Sequence, residues 1–73
     1  MSRAAVIGEA VRVQGYALAG AVVYPAEDAD QVRTAWRSLP PDIAVVVLTA
    51  RAAAWLGEAP QRRDGVLPVV MPP

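Results

Sequence analysis

Two short stretches stand where an α/β fold does its chemistry. Gly8-Glu9 follows the apolar run Ala4-Ala5-Val6-Ile7, and Thr49 follows Ile43-Ala44-Val45-Val46-Val47-Leu48. Each ends a run that reads as a strand and opens one that reads as a helix. A glycine at such a turn is how a phosphate-binding loop begins. That chemistry needs several glycines, so that consecutive backbone amides can face an anion. Here the text is Gly8-Glu9-Ala10-Val11-Arg12-Val13-Gln14-Gly15. It is neither G-x-G-x-x-G nor a loop ending in Gly-Lys-Ser/Thr, and Glu9 sets negative charge beside the place of the anion. The simpler reading of Gly8 is a tight turn.

Thr49-Ala50 resembles the Thr-Ala region of response-regulator receiver domains. A receiver also needs an acidic cluster after its first strand, a phospho-accepting aspartate and a lysine. Glu9 is a single acid, no aspartate ends any strand, and the chain contains no lysine. A helix cap is the better account of Thr49. The other carboxylates, Glu27, Asp28, Asp30, Asp42, Glu58 and Asp64, lie mostly at helix starts and in turns, where solvated charge is the ordinary reading. Histidine and cysteine are absent, so the commonest general base, the commonest metal ligand and any disulfide or thiolate site are missing. The chain reads as a non-enzyme with no cofactor, no metal and no small-molecule substrate.

Seven arginines balance seven acids in 73 residues. A net charge of zero argues against nucleic acid and anionic membrane surfaces as partners. No run approaches the ~20 apolar residues of a membrane span, and the apolar start is too short for a signal peptide. A cytoplasmic protein is the expectation. The apolar fraction of 55% is high for a domain this small. It implies either a dense core or apolar surface covered by a partner.

The elements that must hold these residues are short. Residues 4–8 read as a buried strand and 9–19 as a helix. At about 100° per residue, Val11, Gly15 and Leu18 share the inner side with Ala10, Ala17 and Val13 beside them, and Glu9, Arg12 and Tyr16 the outer. Gly15 on the inner side is expected to let the helix approach the sheet, so that a leucine there would break the packing. Gly20 suits a helix stop. Residues 21–24 form a second strand closed by Pro25. Asp28 with Gln31 reads as a capping box. The helix after it carries Ala29, Val32, Ala35, Trp36 and Leu39 on one stripe, and Pro40-Pro41 stops it. Residues 43–48 are apolar on both alternating faces, as in a central strand covered on both sides. Thr49 caps a helix over 50–56, which Gly57 ends. Asp64-Gly65 is a turn. Residues 66–71 form the last strand, and Pro68 inside it predicts a sheet edge.

The result is β-α-β-α-β-α-β in one domain spanning 1–73. With right-handed crossovers, the order 2-1-3-4 fits best. The fold class is α/β, a small open four-stranded parallel sheet with helices on both faces, Rossmann- or flavodoxin-like. Among the aromatics, Trp36 belongs to the core stripe. Tyr16 lies on the outer face of the first helix, and Trp55 falls between those cases. Arg62-Arg63 is a small solvated basic pair.

Four stretches carry a family resemblance. The first strand ends in Ile7-Gly8-Glu9. Val13-Gln14-Gly15-Tyr16-Ala17-Leu18-Ala19-Gly20 follows. Val47-Leu48-Thr49 ends the central strand, and Leu67-Pro68-Val69-Val70-Met71-Pro72 closes the chain. In this order, over about residues 4–72, they resemble the F subunit of the V/A-type ATPases (ATP synthases), a rotor component of the central stalk. The resemblance implies a non-catalytic part of a rotary ATPase or ATP synthase, held peripheral to the membrane through its complex. It implies docking on the coiled-coil rotor subunit, and contact with the socket subunit that joins the stalk to the membrane ring. The family usually continues into a C-terminal helical tail; this chain stops at Pro73, and Ala50 replaces an acid common after the threonine. The resemblance therefore implies the docking domain without the tail. The exposed residues expected to meet the partner are Glu9, Arg12, Tyr16, Arg51 and Trp55. The competing reading is a stand-alone receiver-like regulatory module that has lost its phosphoryl chemistry.

Overall fold

The computed structural model describes residues 3–57 and 65–72. Glu58, Asp64, the Arg62-Arg63 pair and the side chain of Leu18 lie outside the described residues. Strands β1 (Arg3–Gly8), β2 (Val22–Pro25), β3 (Ile43–Leu48) and β4 (Leu67–Val70) form one sheet in the order β2-β1-β3-β4. All three pairings are parallel. The helices are α1 (Ala10–Val13), α2 (Ala29–Arg37) and α3 (Ala50–Leu56), and a 3₁₀ segment spans Gln14–Ala19 after α1. The strand order and the α/β class agree with the expectation.

The main core lies between the sheet and the pair α2 and α3. Ala5, Ile7, Val46 and Leu48 point into it from the strands. The α2 stripe meets them with Val32, Ala35, Trp36 and Leu39, all buried. Asp28 starts α2 as the spacing predicts: its side chain accepts from the Gln31 N–H at 2.8 Å. Gln31 in turn accepts from the Glu27 N–H at 2.7 Å, one residue before the cap. Thr49 caps α3 by accepting from the Ala52 N–H at 3.2 Å, and Gly57 ends it with a positive φ. Gly20 closes the 3₁₀ segment in the left-handed conformation, as a helix stop requires.

The first helix differs from the expectation. Only four residues are α-helical, and Val13 is the buried one. Val11 is 80% exposed, and Gly15 is exposed with nothing within 4 Å of where a Cβ would stand. The reason is phase. Two residues along a helix is a turn of about 200°, so Val11 and Gly15 both point away when Val13 points in. Val13 and Val6 are both fully buried and lie outside the α2–α3 core, and Val13 sets that phase. Gly15 is therefore not a close-approach glycine, and a side chain there does not break the packing. Gly15→Ala should leave stability unchanged or raise it by about 0.5–1 kcal/mol, through a less flexible unfolded chain. Urea denaturation measures this directly.

The central strand is covered completely on one side only. Val46 and Leu48 are buried, while Val45 and Val47 are half-buried. The parallel register puts Leu67 and Val69 beside Val45 and Val47, on this second face. Leu67 is 60% exposed and Val69 42%. A lane of aliphatic surface thus runs along β3 and β4 next to the part of the sheet that α1 covers.

β4 pairs only with β3 and is an edge, as Pro68 predicts. The Met71 N–H donates to the Leu48 carbonyl at 2.7 Å. Because strand residues alternate, Leu67 and Val69 also turn their backbone groups toward β3. Pro68 and Val70 turn theirs to the open side. Proline's missing donor therefore falls where no ladder bond is lost.

Candidate functional site

The sheet order brings the C-terminal ends of β1 and β3 together, and the chain leaves them toward opposite faces. Such a switch point is where open α/β sheets usually place their functional groups. Gly8 ends β1 there and Thr49 follows β3. Thr49 is 1% exposed. A Cβ on Gly8 would overlap its side chain, with Thr49 Oγ1 only 2.6 Å away. Only glycine lets the two turns meet so closely.

The Thr49 hydroxyl does two things at once. It accepts from the Ala52 N–H and donates to Glu9 Oε1. Glu9 Oε2 lies 3.7 Å from Arg12 Nε. The Thr49 hydrogen bond, with a smaller contribution from the Arg12 and Arg51 charges, holds the Glu9 carboxyl below its ordinary range. Glu9 is thus an ionised tether between the β1–α1 and β3–α3 turns, not a proton donor at neutral pH. Glu27 adds a second tie, accepting from the Ala10 N–H at 2.8 Å. At the opposite end of the sheet Arg3 pairs with Asp42, with Nε 2.5 Å from Oδ2, and holds that carboxyl below its ordinary range.

Thr49→Val keeps the shape and removes the hydroxyl. It strips the α3 cap and leaves the Glu9 carboxylate without its donor, at an expected cost of about 1–2 kcal/mol at neutral pH. A lowered folded-state pKa gives stability that is present above the ordinary carboxylate range and lost as pH falls through the lowered value. The gap between wild type and Thr49→Val should therefore narrow in acid. Denaturant titrations at neutral and acid pH test this, and a gap that widened in acid would refute the tether.

Above the tether opens a groove of about 430 Å³ lined by Glu9, Arg12, Ala50, Arg51 and Ala54. Three of the five residues expected as contacts thus meet in one place. Trp55, the fourth, joins through Arg51, whose guanidinium carbon lies 5.8 Å from the indole centroid. Tyr16, 37% exposed, stands on the 3₁₀ segment and is not among the lining residues; its hydroxyl donates to Met71 Sδ at 3.9 Å. Glu9 is more tucked in than an outer-face position implies, because Thr49 draws its carboxylate inward. Gly8 and Thr49 were legible as a tight turn and a cap. Their contact with each other, and the parts of Thr49 and Glu27 in holding the turns, were not. Nothing in local spacing pairs positions 8 and 49.

Among the described residues, no group of three or more acids, cysteines or histidines is placed to hold a metal ion, and no helix is long and apolar enough to cross a membrane. A second groove of about 380 Å³ lies between α3 and β4, lined by Trp36, Leu48, Leu56, Pro68 and Val70 among others. It offers aliphatic and aromatic surface with no acid or base.

Compared with known protein families, residues 4–72 match the one described as ATP synthase (F/14-kDa) subunit. None of the curated proteins compared gives a significant match.

Proposed function

The chain belongs to the family described as ATP synthase (F/14-kDa) subunit, and from that premise we propose that it is a non-catalytic central-stalk component of a V/A-type rotary ATP synthase or ATPase. In this reading it docks on the coiled-coil rotor subunit and touches the socket subunit of the stalk. It stiffens the rotor and helps couple ATP turnover, carried out elsewhere in the complex, to ion transport. It acts as one docking domain, peripheral to the membrane on the cytoplasmic side. Glu9, Arg12, Tyr16, Arg51 and Trp55 are its proposed contacts.

The observation that carries the reading is the match across nearly the whole chain. The surface supports it. Leu67 and Val69 are exposed large aliphatics side by side on one face of β4, and a contiguous apolar lane on a small domain is the mark of an interface. The test is co-expression with the coiled-coil rotor subunit of the same organism, followed by size-exclusion chromatography with light scattering. A stable 1:1 complex supports the reading. A chain that ignores the coiled coil, or that is stabilised by nucleotide in proportion to ligand concentration, overturns it.

A further inference from the structure

Arg12 and Arg51 line the switch-point groove together with the small side chains of Ala50 and Ala54. The two alanines are four apart on α3 and so lie on one ridge of it, giving a smooth floor into which the ridge of another helix can settle. Glu9 pairs with Arg12 through Oε2, and its Oε1 is committed to Thr49. Glu27 is spent on the Ala10 amide. Among the described residues no carboxylate lies within ion-pair distance of Arg51. Its partner is the Trp55 ring. A guanidinium placed over an aromatic ring keeps N–H donors available for a carboxylate. The contact also holds a long side chain in one orientation, and arginine and tryptophan are the residues most enriched among interface anchors.

We propose that this groove receives a single helix of the partner, and that the helix carries an aspartate or glutamate seated between Arg12 and Arg51. The inference rests on the docking reading above and gives that docking its chemistry. A doubly charged free anion such as phosphate would meet the ionised Glu9 at the base of the groove. A single carboxylate presented by a helix reaches only the outer edges of the two guanidiniums.

The test is titration calorimetry of the coiled-coil rotor subunit into wild type, Arg12→Gln, Arg51→Gln and the double variant, at low and high salt. Both arginines are exposed, so thermal unfolding should be unchanged in all three variants. Each single change should weaken binding about tenfold and the double change about thirtyfold or more. Wild-type affinity should fall with added salt, and that of the double variant should not. If the double variant binds as tightly as wild type, the carboxylate clamp is wrong while the docking reading stands. If wild type itself fails to bind, the docking reading is overturned and the clamp with it.

Discussion

Gly8→Ala should strip this protein of most of its stability. The added methyl would stand within van der Waals overlap of three Thr49 atoms, and Thr49 is buried with no room to retreat. Overpacking of this kind costs about 1–3 kcal/mol. Pushing Thr49 aside also releases the α3 cap and the Glu9 tether, adding about 1 kcal/mol. A core of this size supplies only about 3–5 kcal/mol of net stability, so the variant should lose most of its stability and show an unfolded fraction already at room temperature. Circular dichroism with urea titration reads this. The companion is Gly8→Ala/Thr49→Ala. Removing Cγ2 and Oγ1 clears two of the three overlaps, so the double variant should be more stable than the sum of the single changes predicts. A Gly8→Ala protein as stable as wild type would mean that the two turns do not meet as described.

Trp36→Ala should be worse. Trp36 is 3% exposed and packs in the core between α2 and the sheet. Truncating a buried tryptophan costs about 3–5 kcal/mol, depending on how far its surroundings collapse. The neighbours on the stripe, Val32, Ala35 and Leu39, are too small to fill the space. The expected result is a chain without a cooperative thermal transition. Trp36→Phe should retain one, since it keeps an aromatic body in the same place. Near-uniform destabilisation by both would argue for a requirement other than volume.

What could be read from the chain follows the length and redundancy of each signal. The α2 stripe repeats over three turns, and its cap has two members, Asp28 and Gln31, so its start, inner face and core tryptophan were all legible. β3 and α3 were legible because six apolar residues, a capping threonine and a terminating glycine agree. The sheet order followed from handedness and from which strand is most apolar. α1 was not legible. It is one turn long, and Val11 and Val13 are equally apolar on opposite sides. Which one turns inward depends on the sheet surface beneath, to which local spacing is blind. The same limit applies to the site. The exposed residues Arg12 and Arg51 could be picked out singly, but their meeting across one groove is set by β1 and β3 lying side by side. The Glu9–Thr49 bond joins residues forty apart, so its only sequence-level trace is the strand order itself.

Pro68 has a consequence for how this domain keeps company. A sheet of short apolar strands with open edges, here β2 and β4, is a template on which other chains can add as further strands, the route to fibres and insoluble aggregates. β4 presents four residues at its edge, and only Pro68 and Val70 turn outward. With Pro68 one of the two donors is missing, so an incoming strand finds a single N–H where continuous pairing needs two. Growth by strand addition stops at β4. β4 can thus leave Leu67 and Val69 bare for a partner while offering an incoming strand too few donors for a continuous ladder, so that binding there favours side chains.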